Sequence, residues 1–305
     1  MYHCGKKNRM DIAFVCYQGS GKFSLIEEEN TLLLEYLQAR GLQVRKEIWD
    51  DPEVDWAAYD WVLLKAPWDY FDKYEAFLHW LNRLDQLEVP LLNPSAIVRW
   101  NSDKHYLKDI EAAGLPLIPF ELLEKGEKVS LEKYFDHFAT EQLIVKPAVS
   151  GGAKNTFSFN RKEAEELSGR LNLLLEQEAF LVQPFISQIQ EEGEWSLVFF
   201  NGQFSHCLLK RAKSGDFRVQ HVHGGSVHPQ TAPEALLEQA KRYIAAFARD
   251  CLYARVDGVQ INGTFCLMEL ELIEPFLYLA GSPGSYENYY QALQTLTRRV
   301  SETVE

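Results

Sequence analysis

YARVDGVQINGTFCLMELEL, residues 253–272, reads as two apolar strands broken by acids where a buried strand should have none. The runs Tyr253 to Ile261 and Phe265 to Leu272 flank Asn262-Gly263, a dipeptide that favours a hairpin turn. Side chains alternate faces along a strand, so Arg255 and Asp257 share one face, and Glu269 and Glu271 share one. Whether these are the same face depends on the turn. A two-residue turn would set Asp257 opposite Met268 and separate the acids. A three-residue loop with a bulge at Gly263 shifts the register by one and gathers all four charged groups. The spacing predicts the second arrangement. A solvated hairpin face would also tolerate such acids, but here they interrupt a strand that should be well buried. Like charges this close repel and take up protons unless cations compensate. Oxygen donors of this kind suit Mg²⁺, and Asp257, Glu269 and Glu271 together could bridge two ions.

Outward from this hairpin, the first third of the chain alternates strands and helices. Strand Asp11 to Tyr17, helix Leu25 to Arg40 ending at Gly41, strands Gln43 to Trp49 and Trp61 to Ala66, helix Tyr74 to Leu87 and strand Val89 to Asn93 give a βαββαβ order. That order implies a small parallel sheet flanked by helices. Around Asn93 the style changes. A helix from Lys104 to Ala113, strand Gln142 to Pro147, a loop over 148–154, helix Arg161 to Leu175 and strand Ala179 to Pro184 follow. From Trp195 the pattern is mostly hairpins, with one helix over 233–251 and a last one from Tyr286 to about Thr303.

The chain has 305 residues, enough for two or three packed units, with 46% apolar and 25% charged residues. Its formal charge of −13 argues against nucleic-acid or anionic-membrane partners, which would repel it. Five scattered cysteines without a CxxC pair look like reduced thiols rather than disulfides or a zinc site. No stretch approaches the apolar length of a membrane span, so a cytoplasmic protein is expected. The aromatic, apolar N-terminal third is compatible with a homodimer. Tryptophans such as Trp49, Trp56, Trp61, Trp80 and Trp100 are expected as core and interface anchors.

Cations gather in glycine-bearing loops. The stretch Val145-Lys146-Pro147-Ala148-Val149-Ser150-Gly151-Gly152 follows a strand, and its glycines would let backbone N–H groups approach an anion. Read alone, an ordinary turn explains it equally well. Lys104 at a helix start, and Lys210, Arg211, Lys213 and Arg218 in a second stretch, suggest a polyanionic ligand in an otherwise acidic chain.

Together these pieces resemble the ATP-grasp superfamily, in the branch of glutathione synthetase and RimK-like ligases. The string Lys210-Arg211-Ala212-Lys213-Ser214-Gly215-Asp216-Phe217-Arg218 is similar to that branch's basic loop, and Lys104 and Lys146 fall where its nucleotide lysines fall. Gln183-Pro184-Phe185-Ile186 resembles its adenine hinge and Glu194 its ribose acid. The resemblance implies an ATP-grasp fold, α/β and α+β, in which two α+β subdomains grip ATP behind a small parallel α/β domain. Its boundaries are expected at 1–95, 96–185 and 186–305, with the substrate side in the first. It further implies a carboxylate–amine ligase using ATP and two Mg²⁺ (or Mn²⁺) on small-molecule substrates. Asp257, Glu269 and Glu271 would hold metal; Lys104, Lys146, Ser150, Gly151, Gly152, the hinge and Glu194 would hold nucleotide. Arg255, Arg218, Lys210 and Arg211 would be catalytic. Many relatives carry Glu-x-Asn at the second metal position, where this chain has Glu269-Leu270-Glu271. With Trp68-Asp69-Tyr70 and the run Leu272 to Tyr278, this resembles a narrower subgroup that includes cyclo-ligases of the cycloserine type.

Gly19-Ser20-Gly21-Lys22 is not a phosphate-binding P-loop, since Cys16 and Phe23 stand where that pattern needs Gly and Ser or Thr. Asp257→Asn and Glu269→Gln are each expected to abolish ADP formation while leaving the far-ultraviolet circular dichroism unchanged; turnover retained in both would refute the metal assignment.

Overall fold

The computed structural model describes residues 10–19, 24–152, 154–212 and 225–303. Strand β1 (Asp11–Cys16), helix α1 (Ser24–Ala39), strands β2 (Gln43–Ile48) and β3 (Trp61–Ala66), helix α2 (Tyr74–Gln86) and the short strand β4 (Leu91–Leu92) form the first unit. The strands pair in parallel in the order β2-β1-β3-β4. Such a sheet is covered on both faces, which is why β1 and β3 are buried without alternation, Lys65 of β3 included. Ile12, Phe14 and Leu63 face Leu33 and Leu37 of α1, while Ala13, Val15, Val62 and Leu64 lie under Trp49, Trp56, Phe77 and Trp80. The three tryptophans meet edge to face, with ring centroids 5.5 and 6.3 Å apart in the two pairs that Trp80 makes. These aromatic side chains are buried in the protomer's own core.

Helices α3 (Ser95–Asn101) and α4 (Tyr106–Ala112) lead to strand β5 (Glu121–Leu123), helix α5 (Glu132–His137), strands β6 (Gln142–Pro147) and β7 (Phe157–Asn160), helix α6 (Ala164–Leu174) and strand β8 (Phe180–Pro184). The sheet here is antiparallel, in the order β5-β8-β6-β7. After helix α7 (Gln188–Glu191) come strands β9 (Glu194–Phe200), β10 (Gln203–Arg211) and β11 (Ser226–Gln230), helix α8 (Glu234–Phe247), strands β12 (Tyr253–Ile261) and β13 (Thr264–Glu271), and helix α9 (Ser285–Thr303). These strands make a second antiparallel sheet, β11-β10-β9-β12-β13. Leu197, Phe199, Val256 and Leu270 on one of its faces pack with Leu236, Ala240 and Tyr243 of α8. Val198, Phe200 and Tyr253 on the other join the core of the parallel sheet, together with Tyr289 and Leu293 of α9. Among the described residues no helix is long and apolar enough to cross a membrane.

Strand β13 is an edge strand, yet its outer backbone groups are paired without a strand partner. Leu267 donates to Pro116 O at 3.0 Å and accepts from Ile118 N at 2.9 Å. The N–H of Leu270 donates to the Tyr106 hydroxyl at 3.0 Å, and Asn101 donates to Leu270 O and accepts from Leu272 N. Asn93 donates to Leu272 O at 2.8 Å and Tyr253 O at 2.9 Å, and accepts from Tyr253 N. Side chains thus cap an edge that would otherwise recruit another strand. Asn93→Ala should leave the buried N–H and C=O of Tyr253 and the C=O of Leu272 unpaired, costing roughly 1–3 kcal/mol per group. A fall in the urea unfolding midpoint checks this; an unmoved midpoint would show that these bonds contribute nothing net.

Candidate active site

The β12–β13 turn consists of Asn262 and Gly263, at φ of 51° and 79°, with Ile261 opposite Thr264. It is a two-residue turn, so the expected three-residue loop is wrong. The four charged residues nevertheless share a face, because Asp257 pairs with Glu269 and Arg255 with Glu271. Pairing passes from Gly258 opposite Leu267 directly to Asp257 opposite Glu269, making Met268 the extra residue of a bulge. The bulge follows from the bonds of Leu267 to Pro116 and Ile118, which draw the strand outward there. Gly258 makes room for it. A Cβ on Gly258 would lie 2.5 Å from Cys266 O and 2.6 Å from the Phe265 ring. The register shift therefore sits at the site itself rather than at Gly263.

Arg255 is buried at the centre of this face. Its Nε lies 3.0 and 3.1 Å from the two Asp257 oxygens, its Nη2 donates to Asp257 at 2.8 Å and to Glu271, and its Nη1 donates to Phe276 O at 2.8 Å. Ser196 donates to Asp257 at 2.6 Å. Lys210 lies 3.1 Å from Asp257 and 2.5 Å from Glu194, its cross-strand neighbour. The expectation of a loop for Lys210 and Arg211 is corrected: both belong to β10, where Lys210 is buried and Arg211 is exposed. Alternation along the strand turns consecutive residues to opposite sides, so only one of the pair can enter the cluster. Arg218 and Lys213 lie outside the described residues.

Burial alone would raise the Asp257 carboxyl, but Arg255 and Lys210 override it and hold it well below the usual carboxylate range. Burial would likewise lower the Lys210 amine, which Asp257 and Glu194 instead raise. For Glu271, desolvation with Asp257 and Glu269 alongside pushes the carboxyl up against the pull of Arg255. Glu194 is also raised by burial, with Lys210 opposing.

A second cluster meets the first at β13. Lys104 Nζ, just before α4, lies 3.3 Å from Glu269 and donates to Ser150 O at 3.1 Å and Ser150 Oγ at 3.2 Å. It ties the loop after β6 to the hairpin. Desolvation opposes ionisation of Glu269, but Lys104 and Lys146 lower its carboxyl. Lys146 is half-buried in β6, its amine lowered by desolvation with Glu269 opposing. Gly151 presses on the N-terminal unit, where a Cβ would come within 2.5 Å of the Phe71 ring; Gly152 has a left-handed φ of 59°, and Lys154 pairs with Asp72. Gln183 and Pro184 end β8, and Phe185 donates to Gln142 O at 2.9 Å. Ile186 then packs into a small apolar cluster with Ile118, Ile189 and Val259, flanked by Cys266 and Met268.

Among the described residues, no three His, Cys, Asp or Glu side chains converge as a metal-ligand group. Asp257, Glu269 and Glu271 share a face, but each is turned to a basic side chain. Their chemistry still fits a hard divalent ion, being all oxygen donors crowded on one strand pair. Ser196 escaped the sequence reading, although alternation from Glu194 along β9 would have found it. Glu274 escaped it too. Burial, with Glu269 adding and Lys104 and Arg255 opposing, pushes its carboxyl up to about 8.

The family model of the prokaryotic glutathione synthetase ATP-grasp domain matches residues 121–272. Residues 121–272 are an ATP-grasp domain. The N-terminal domain model of D-cycloserine synthetase DcsG matches residues 12–93. The cycloserine biosynthesis protein DcsG of Streptomyces lavendulae is 29% identical over 281 residues, covering 86% of this chain and 91% of that protein. The crystal structure of D-cycloserine synthetase DcsG superposes with a TM-score of 0.82 at 27% identity, covering 94% of this chain and 99% of that one. The D-alanine–D-alanine ligase of Bacillus anthracis, complexed with ATP, shares the fold at a TM-score of 0.72 and 17% identity, covering 97% of this chain and all of the other.

If the bulge sets the register, Gly258→Ala should cost about 1–3 kcal/mol through forced displacement of Cys266 and Phe265. One glycine inserted after Gly263 should cost less, as read by melting temperature. The reverse order would return control of the register to the turn.

Proposed function

We propose that this protein activates a small-molecule carboxylate with ATP, forming an acyl phosphate that an amine or similar nucleophile captures. The observation that carries this reading is the bridge made by Lys104. It holds Ser150 of the glycine loop against Glu269, so the loop's backbone N–H groups and the carboxylate face border one space. Lys104 and Lys146 would neutralise nucleotide phosphate, and the Ile186 cluster offers an apolar seat for a base. Asp257, Glu269 and Glu271 would hold Mg²⁺, which when bound offsets phosphate charge and orients the γ-phosphoryl group.

In the first step a substrate carboxylate oxygen attacks the γ-phosphorus, the bond to the β–γ bridging oxygen breaks, and ADP leaves. In the second the nucleophile attacks the acyl carbon, the carbon–oxygen bond to phosphate breaks, and phosphate and a proton leave. Arg255 stands where a guanidinium could stabilise oxyanion charge, provided that ligand binding frees it from Glu271. Asp257, fixed by Arg255, Lys210 and Ser196, keeps its charge throughout. The loop at Gly151, seated on Phe71, would exclude water from the acyl phosphate.

Similarity to D-cycloserine synthetase along nearly the whole chain favours an intramolecular form, in which the nucleophile belongs to the same substrate. Phosphate release screened against pooled amino acids, ureido acids and amines, followed by product mass, tests both. Cyclisation yields one substrate less one water, and ligation joins two substrates. A stable phosphorylated product would mark a kinase instead, and ATP binding without ADP release across the panel would refute the ligase reading.

A further inference from the structure

We propose that Glu29 of α1 is a positioning residue for Arg255, acting through the peptide group between Phe276 and Leu277. This rests on the ligase reading, in which Arg255 meets oxyanion charge, and adds the group that holds its guanidinium in place.

The Phe276–Leu277 peptide is gripped at both ends. Arg255 Nη1 donates to Phe276 O at 2.8 Å, and Leu277 N, across the same C–N bond, donates to Glu29 at 2.9 Å. This peptide is trans. The C=O and N–H of a trans peptide point in opposite directions, so Glu29 and Arg255 lie on opposite sides of one peptide group. A carboxylate on the N–H and a guanidinium on the C=O polarise that group in the same sense, and each bond strengthens the other.

Glu29 is itself held fast, only 3% exposed on a helix of the parallel unit. Its Oε1 accepts from Leu277 N and Lys65, and its Oε2 from Leu279 N at 3.0 Å. Two N–H groups two residues apart converge on this carboxylate because Tyr278 between them is left-handed, at φ 55°. A tyrosine in that region persists only where its surroundings impose it. The neighbouring carbonyls are fixed as well. Lys65 donates to Pro275 O at 3.2 Å, and His206 Nε2 donates to Leu277 O at 2.8 Å. Phe276 O is thereby kept aimed at Arg255.

The remaining contacts of Arg255 show why this matters. Nη2 faces Glu271 and Asp257, and Nε lies against both Asp257 oxygens. Turning Nη2 from Glu271 to an oxyanion leaves the guanidinium held at Nε by Asp257 and at Nη1 by Phe276 O. Asp257 alone would let the plane swing, and the carbonyl fixes the second point of the rigid fork. Lys65 has a different task. It is the buried counter-charge of Glu29 and grips Pro275 O, outside the peptide that Arg255 touches.

Two variants of the full-length protein separate positioning from packing. Glu29→Asp keeps a counter-charge for Lys65 but draws the carboxylate back by one methylene from the Leu277 N–H. Lys65→Met removes the cation and leaves that N–H its acceptor. Turnover is read as phosphate release from ATP and Mg²⁺ with the pooled amino acids, ureido acids and amines, and the side chain is read from the Arg255 Nε–H resonance in ¹H–¹⁵N spectra. Glu29→Asp should lower kcat roughly 10–100-fold, the effect of a misplacement of about 1 Å. KM for ATP should stay unmoved, and the Arg255 resonance should shift. Lys65→Met should lower the melting temperature while kcat and that resonance stay in place. Should Glu29→Asp not fold, Glu29→Gln/Lys65→Met removes both charges together and is compared with Lys65→Met under the same expectation. The inference is overturned if the Arg255 resonance stays put when Glu29 is changed, if kcat in both variants simply follows melting temperature, or if the loss falls on KM for ATP. Absence of phosphate release from the wild type across the pool removes the ligase reading, and the resonance still decides whether Glu29 sets Arg255.

Discussion

The outer edge of β13 is the constraint on which the rest of this structure depends. An open edge in the middle of a molecule leaves backbone groups that must be paired or solvated. Here they are paired by Asn93, Asn101, Tyr106 and the 116–118 segment, all N-terminal in sequence and all foreign to the hairpin. These bonds tie the parallel unit to the C-terminal sheet. They also bend β13 at Leu267, and that bend brings Glu269 opposite Asp257. One set of hydrogen bonds thus fixes the assembly of the molecule and the register of its charged face.

The charged face itself is balanced in an unusual way. Buried ions are tolerated when each finds opposite charge and hydrogen bonds in fixed geometry. Asp257 reaches this condition with Arg255, Lys210 and Ser196, and Glu194 shares Lys210. Toward the open side Glu271 shares Arg255 with Asp257, and Glu274 has no ion-pair partner among the described residues; burial raises both carboxyls. Charge is therefore compensated at the back of the site and left in excess at the front. Such a gradient suits a pocket that accepts cations and positions anions between them.

Glu29 shows the structural counterpart. It stands on a helix of the parallel unit, yet its bonds reach Leu277 and Leu279 near the end of the chain. The segment between β13 and α9 is tied to the parallel unit by this carboxylate and by Lys65. An acid in the middle of α1 looks in sequence like part of a solvated helix face. Only its burial beside Lys65 shows otherwise.

Local chemistry alone determined much of this protein. Apolar runs, one of them closed at Gly41, defined the parallel unit, because strand and helix periodicities depend on neighbours in the chain. Asn262-Gly263 fixed a hairpin, and acids interrupting its apolar strands marked the site. Lys104, Ser150 and Glu269, distant in sequence, were grouped by resemblance and are met together in the structure. Short elements such as β5 and β7 carry too few residues for a periodic pattern and were invisible. The register was misjudged at the turn because its cause, the bonding of Leu267 to Pro116 and Ile118, joins segments about 150 residues apart. A strand's own sequence states which residues alternate. Which of them meet across the hairpin was decided by a bulge that only tertiary hydrogen bonds, and the space left by Gly258, could create.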